Sequence, residues 1–340
     1  MNGPFDVWSD CTPDCAAPAL PRVPAADVAR RSAVFAHWVR RALTDGERMA
    51  DPPRLRAHAG ALLDALGIGL DGPEPGAGAL TAGGDGPGTL LVVNHISWLD
   101  IPALLAVEPV TLLAKREVGT WPVVGGLARR AGTHFIDRSS PRRLRATVQE
   151  VAELLAVGRS VAVFPQATTW CSAEAGTFRR AVFQAALDAG APVRPVTVEY
   201  TQQGRPSTVA AFCGEDTFLA SLRRVLAARA LTVRVTAHPV LTTAEPGLDR
   251  RELAARAARL VRGGRRTAGA ATQAVPAVAL PAAAVAASAG PSVAVPVAAG
   301  PVAVPAVAAL TRAVPAQAAP PAGLTGEPAA APVGHTPAHV

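Results

Sequence analysis

The sequence predicts an α/β domain built on a mainly parallel sheet flanked by helices. An N-terminal amphipathic helical pair precedes it and a disordered C-terminal tail follows. Three observations carry this prediction. Short apolar runs alternate with helix-spaced patterns between residues 71 and 265, and that alternation suits parallel strands joined by crossover helices. Apolar residues from Ala25 to Leu43 recur at helical spacing. From Thr267 onward the composition shifts to Ala, Pro and Val, and only Arg312 and Glu327 are charged.

Taken in order, residues 1–24 read as an irregular, Pro-containing leader. It shows neither a basic n-region nor a long apolar h-region, so no signal peptide is read from it. Residues 25–70 hold the helical pair. In its first helix Val28, Phe35, Trp38, Val39, Ala42 and Leu43 keep helical spacing, while Arg30, Arg31, Arg40 and Arg41 line other faces. Such a helix either packs on the domain or lays its apolar edge and arginines on an anionic membrane. It is too interrupted by charge to span a bilayer. The second helix runs from Leu55 to Leu66.

Residues 71–88 are rich in Gly and Pro and read as a loop. Strand-like runs follow at Thr89–Val93, Val110–Leu113, Thr133–Ile136, Ser160–Phe164, Val193–Glu199 and Leu231–Ala237. Helical patterns fall at 102–107, 121–130, 141–157, 178–189, 216–229 and 248–262. In residues 266–340, prolines at 276, 281, 291, 296, 301 and 305 break any helix, so this apolar stretch is no transmembrane segment. Small side chains bury too little surface to offset ordering entropy, which gives a flexible tail.

The chain has 340 residues and a net charge of +7. Its single lysine is Lys115; every other cationic side chain is arginine. The basic balance favours an anionic partner, and arginine suits planar phosphate recognition. Aromatic residues are 4%, with no basic–aromatic run, so no nucleic-acid partner is expected. Four cysteines, Cys11, Cys15, Cys171 and Cys213, do not make a disulfide framework in a chain this long. Cys11 and Cys15 are close enough for a bridge or a metal pair. No second pair of matching spacing exists, so they read as incidental and no metal is expected.

The most informative segment is Asn94-His95-Ile96-Ser97-Trp98-Leu99-Asp100. It follows a strand and precedes a helix that Pro102 opens. His95 then sits at a strand's carboxyl end and Asp100 in the first helical turn. There the carboxylate can hold one imidazole nitrogen while the other faces a cleft, the arrangement of a general base. The helix amino terminus beside it offers N–H groups to an anion. His-x4-Asp alone is a weak signal and fits a histidine satisfied at a strand end better than a base. His95, Arg138 and Gln166 all fall just after predicted strands, where ligands of such sheets bind. Arg138 also precedes Ser139-Ser140-Pro141 at a helix start, where it can serve as a phosphate clamp or form a surface ion pair. No Gly-x-Ser-x-Gly elbow is present, which argues against a serine hydrolase.

These segments resemble the glycerolipid acyltransferase superfamily. Residues 94–100 match its Asn-His-x-Ser-x-x-Asp block. Ala114-Lys115-Arg116-Glu117 to Trp121-Pro122 and Gly125 match the stretch that follows. Gly132-Thr133-His134-Phe135-Ile136-Asp137-Arg138 matches Gly-x-x-Phe-Ile-x-Arg. Ala191-Pro192-Val193-Arg194-Pro195-Val196 matches the fourth block. The third, usually Phe-Pro-Glu-Gly-Thr, is altered to Phe164-Pro165-Gln166-Ala167-Thr168. Thr168-Thr169-Trp170 resembles a variant found in some enzymes that use aminolipid acceptors, and Phe178-Arg179 resembles a family Phe-Lys site near the acceptor.

The resemblance implies an O-acyltransferase with His95 as base and Asp100 as its orienting partner. Acceptor or donor contacts would come from Arg138, Lys115, Gln166, Thr168, Phe135 and Ser97. Ser97 reads equally as a helix N-cap. The co-substrate would be acyl-CoA or acyl carrier protein, with no other cofactor. The acceptor would be a lysophospholipid, most simply lysophosphatidate, at the cytoplasmic face of an anionic membrane as a peripheral protein. Two other readings stand beside it: the same chemistry on another lysolipid such as lyso-ornithine lipid, and a catalytically weak lipid-binding protein on the same scaffold, which the Gln166-Ala167 change supports.

Overall fold

A computed structural model describes residues 7–76, 78–121, 123–136 and 140–271. In chain order its elements are α1 (Ala25–Asp45), α2 (Pro52–Leu66), β1 (Ile68–Asp71), β2 (Leu90–Val93), α3 (Asp100–Val107), β3 (Thr111–Lys115), α4 (Val124–Arg130), β4 (His134–Ile136), α5 (Pro141–Ala156), β5 (Val161–Val163), α6 (Ala181–Ala189), β6 (Val193–Gln202), β7 (Arg205–Pro206), α7 (Phe218–Ala227), β8 (Leu231–Ala237) and α8 (Arg250–Ala271). The strands form one sheet in the order β1-β8-β6-β2-β5-β3-β4, with the short β7 paired to β6. Pairings of β2 with β5 and β6, and of β3 with β4 and β5, are parallel. Strand β8 is antiparallel to β6 and parallel to β1.

The pleat explains the layers. In β2 all four residues are buried, and successive side chains enter opposite cores. Leu91 and Val93 pack with residues of α1, α2, α3 and α7, including Phe35, Leu63, Leu104 and Leu222. Leu90 and Val92 pack with α5, α6 and α8 through Leu155, Phe183 and Leu253. Helices therefore cover both faces, as an apolar central strand requires.

Every predicted strand and helix between 89 and 262 is present, and the differences lie at edges. Residues 68–71 form β1, which pairs with β8. The sequence reading placed the end of the helical pair at 70, inside this strand, because four residues containing Gly69 give too short an apolar run to register. Helix α4 begins at Val124 rather than 121, since Val123 has φ +64° and breaks the helical backbone. Helix α6 begins at Ala181 rather than 178; Arg179 instead gives its N–H to the Pro165 carbonyl at 2.9 Å. Helix α8 continues to Ala271, past the predicted start of the tail at 266. Residues 272–340, the bulk of that tail, lie outside the described residues.

The leader is irregular but docked. Val23 N–H donates to the Ala227 carbonyl at 2.9 Å, and Ala17 N–H to Thr208 Oγ1 at 3.0 Å. In α1, Phe35, Val39 and Ala42 are buried. The Arg31 guanidinium donates to the carbonyls of Leu226 and Ala228, at 3.0 and 2.8 Å, satisfying the carboxyl end of α7. The first helix thus packs on the domain. Among the described residues, no helix is long and apolar enough to cross a membrane.

Candidate active site

Strand β2 ends at Val93, and Asn94 ties the departing chain to β6. Its Nδ2 donates to the Val198 carbonyl at 2.9 Å, and its Oδ1 accepts the Val198 N–H at 2.7 Å. The side chain thus supplies one more ladder pair where the main chain has begun to turn. His95 follows at the carboxyl edge of the sheet. Its Nδ1 lies 2.8 Å from Asp100 Oδ2, and its side chain keeps 21% of its surface exposed while Asp100 is fully buried.

Asp100 is held by donors. Its Oδ2 also accepts the N–H groups of Ile96 at 2.8 Å and Ser97 at 3.0 Å, and its Oδ1 accepts the Tyr200 hydroxyl at 2.7 Å. Tyr200 is itself buried, and that burial, together with the Asp100 charge, raises its pKa well above the ordinary phenol value. It remains a proton donor. With Asp100 accepting at Nδ1, the proton sits on that nitrogen and Nε2 carries the free lone pair. The imidazole stacks on Phe164 at the end of β5, with ring centroids 4.0 Å apart and planes 20° from parallel. Ring stacking and the Asp100 bond together fix the direction of Nε2.

Four N–H groups of the turn are used within it, which narrows the anion site expected there. Ile96 and Ser97 donate to Asp100, Leu99 N–H donates to Ser97 Oγ at 3.3 Å, and Asp100 N–H to the Ser97 carbonyl at 3.1 Å. Ser97 is fully buried and is not the helix N-cap, a position that Leu99 occupies. Its assignment as a substrate contact is therefore replaced by a role inside the turn.

Gln166 receives a similar correction. It is 2% exposed. Its Oε1 accepts the His95 N–H at 2.6 Å, and its Nε2 donates to the Ala175 carbonyl. Both ends of the amide are used inside the protein, so it pins the His95 backbone rather than facing an acceptor. Ala167 has φ +65°, in the left-handed region where an L side chain is strained by about 1–2 kcal/mol. The methyl therefore sits where glycine would be relaxed. Thr168, next in the same turn, is half-buried.

A glutamate at 166 has no donor to offer the Ala175 carbonyl. Gln166→Glu should cost about 1–3 kcal/mol in urea-unfolding stability through that repulsion and desolvation.

Lys115 is exposed at the carboxyl end of β3, and Phe135 lies on the adjacent β4, in register with Ala114. The Phe135 ring packs over Gly119, where an added Cβ would lie 3.2 Å from it. The strand order places both residues on the β3–β4 side of the sheet, with β5 between β3 and β2. Arg138 lies outside the described residues, as do Asp137 and Ser139. The helix start predicted after it is present: Ser140 caps α5 by accepting the Arg143 N–H at 3.3 Å. His134 pairs with Glu150 at 2.9 Å, His58 through Nε2 with Asp45 at 3.0 Å, and His238 with the Thr197 hydroxyl at 2.7 Å, so each has its partner away from the dyad.

Three residues of the site escaped the sequence reading. Tyr200 lay one residue beyond the predicted strand; its only signal was that it is the single tyrosine of the chain. Phe164 was part of a matched block without an assigned role. Trp98 anchors the turn to the helical layer: Nε1 donates to Ser221 Oγ at 3.1 Å, and its ring meets Phe35 and Phe218 at 6.4 and 5.0 Å. A groove of about 900 Å³ between α5, α6 and α8, lined by Leu144, Val148, Arg180 and Arg250, includes none of these residues. The chemistry-bearing groups point instead to the sheet's carboxyl edge. The cysteines also differ from expectation: the Sγ atoms of Cys11, Cys15 and Cys171 lie within 4.8 Å of one another.

An Acyltransferase family model matches residues 80–199. A lyso-ornithine lipid O-acyltransferase of Pseudomonas aeruginosa is 42% identical over 175 residues, covering 51% of this chain and 66% of that protein. A 1-acyl-sn-glycerol-3-phosphate acyltransferase of Neisseria meningitidis serogroup B is 36% identical over 184 residues, covering 54% of this chain and 70% of that protein. The chain thus spans about two thirds of these relatives' length. A solved 1-acyl-sn-glycerophosphate acyltransferase from Thermotoga maritima aligns over 72% of this chain and 98% of its own, at 19% identity and a TM-score of 0.48. A buried carboxylate orienting a histidine at the edge of an α/β sheet, with a matching family model and relatives across that region, defines the class. The chain belongs to the glycerolipid acyltransferase superfamily, and within it to the O-acyltransferases.

Proposed function

We propose that the protein transfers a fatty acyl group from acyl-CoA or acyl carrier protein to the free hydroxyl of a lysophospholipid at an anionic membrane surface, with His95 as general base. The observation that carries this is the His95–Asp100 pair: one nitrogen fixed by a fully buried carboxylate, the other free on a partly exposed ring. A module that only binds lipid has no need of an oriented base.

In this reading Nε2 takes the proton of the acceptor hydroxyl as its oxygen attacks the thioester carbonyl. Asp100 stabilises the imidazolium that forms. The tetrahedral adduct collapses, the carbon–sulfur bond breaks, and the departing sulfur takes the proton back from Nε2. The products are the acylated lipid and a free thiol. No enzyme-bound acyl group is required, because the acceptor oxygen is the nucleophile.

Lysophosphatidate is the simplest acceptor. A second acceptor, lyso-ornithine lipid, is favoured by one observation: the Gln166-Ala167-Thr168-Thr169 departure coincides with a 42% identical relative that carries that name. The test offers both lysolipids in parallel with an acyl-CoA, follows thiol release, and identifies the lipid products by mass. Acylation of one acceptor assigns the substrate. Hydrolysis of the donor with neither acceptor, or no release even with acyl carrier protein as donor, would sink the proposal. Because the Gln166 amide is internal, Gln166→Glu should not raise lysophosphatidate turnover; a gain would return this residue to the acceptor site.

Tyr200 is a positioning residue, since it acts through Asp100. Tyr200→Phe removes one hydrogen bond to a charged group and should lower kcat by about tenfold with KM little changed. Equal changes in kcat and KM would instead indicate a general loosening of the site.

A further inference from the structure

We propose that Cys11, Cys15, Cys171 and Cys213 form a four-thiolate site for a soft divalent metal ion of the zinc class, which clamps the leader onto the two loops that carry the candidate base. The four side chains come from three distant parts of the chain and are its whole complement of cysteine. Cys11, Cys15 and Cys171 have their Sγ atoms mutually within 4.8 Å, and Cys11 and Cys171 are 3.4 Å apart. Tetrahedral zinc at about 2.3 Å from each sulfur sets sulfurs about 3.8 Å apart, which matches this packing. Cys213 is buried beside this group, and the following Gly214 packs on the Cys11 carbonyl. All four thiols are free, and three sulfurs gathered within 4.8 Å with a fourth buried thiol beside them suit a tetrahedral ion; two disulfides would need two separate pairs, each with sulfurs about 2.05 Å apart.

The local backbone fits a ligand role. The Cys11-x3-Cys15 spacing falls within that of structural zinc sites, and Cys15 closes a tight turn by donating its N–H to the Thr12 carbonyl at 3.0 Å. The Cys171 N–H points at Cys11 Sγ from 3.4 Å, the outer-shell donation that steadies a metal-bound thiolate. Gly214 has φ +58°, and a Cβ there would lie 3.0 Å from the Cys11 carbonyl oxygen, so the leader rests directly on the 213–214 turn.

The position gives the site a purpose. Cys171 follows Trp170, whose N–H donates to the His95 carbonyl at 2.8 Å. Cys213 follows Phe212, whose N–H donates to the Ile96 carbonyl at 3.0 Å and whose own carbonyl accepts the Thr169 hydroxyl. One ion would tie the leader to both loops that brace His95 and Ile96. Of the described leader side chains, only those of Cys11 and Ala19 are buried, so hydrophobic burial alone holds it weakly. Metal coordination supplies the missing free energy, each thiol releasing its proton as it binds and no electron being transferred.

The test uses the full chain, purified without chelator or added metal. Elemental analysis should find about one zinc per chain, and all four thiols should resist alkylation until the metal is chelated. Exchange with cobalt(II) should give the visible bands of a tetrahedral thiolate complex, a result that needs no variant to fold. Cys15→Ser and Cys213→Ser should each weaken cobalt binding by about 100-fold or more. A chain that takes up neither zinc nor cobalt and whose thiols alkylate freely would overturn the proposal. So would an intact mass, under non-reducing conditions, that shows disulfides, or a Cys213→Ser variant that keeps an unchanged cobalt spectrum.

Discussion

His95→Ala should reduce acyl transfer by about 10²–10⁴-fold while the protein stays folded and still binds lysolipid vesicles. The expectation follows from what each neighbour loses. The imidazole is partly exposed and stacked on one face against Phe164, so its removal opens a site that solvent already borders. Asp100 loses one donor of four and keeps Ile96 N–H, Ser97 N–H and the Tyr200 hydroxyl. The backbone of residue 95 keeps its bonds to Gln166 and Trp170, neither of which involves the ring. The defect should therefore appear in kcat, read by thiol release, with vesicle binding within about twofold of the parent. Turnover that survives His95→Ala would refute the mechanism. Turnover absent from the parent protein as well, with lipid bound tightly, would favour the binding-protein reading.

Asp100 should show both a catalytic and a structural effect, separable by two variants. Asp100→Asn keeps the shape and one carbonyl oxygen for the Ile96 and Ser97 N–H groups, but removes the charge that stabilises an imidazolium. Turnover should fall by about 100-fold or more, with a modest stability change. Asp100→Ala leaves two backbone N–H groups and the buried Tyr200 hydroxyl without their acceptor. At about 1–3 kcal/mol for each orphaned buried donor, the loss should reach at least about 3 kcal/mol by urea unfolding. If the two variants lose the same stability, Asp100 does not organise the turn as described. If Asp100→Asn retains full activity, the carboxylate has no electrostatic part in the reaction.

The candidate site was legible in the sequence where its parts are neighbours. His95 and Asp100 are five residues apart, and a strand followed at once by a helix leaves few ways to arrange them. The alternation of apolar runs with helical patterns likewise gave the α/β class and every strand after residue 88 except the two-residue β7, because periodicity reports which face of an element is buried. Where periodicity lacks room, as in four-residue β1, the reading failed. Roles taken from block matching fared differently. Gln166 and Ser97 match family positions, yet each is buried and bonded within the protein. Residue type suggested a ligand contact, and only the direction of the side chain could say otherwise.

By itself, then, the sequence determined the layered α/β class, the dyad and the family to which the chain belongs, all of which rest on local spacing. Tertiary structure decided which groups surround that dyad. Tyr200 reaches Asp100 because β6, parallel to β2, continues past the end of β2 and carries it over the turn. The Gln166 side chain is turned to the His95 N–H because β5 is the other parallel neighbour of β2. Cys11, Cys15, Cys171 and Cys213 looked incidental in one dimension, since spacing along a chain carries no information about contacts that sheet order and loop docking create.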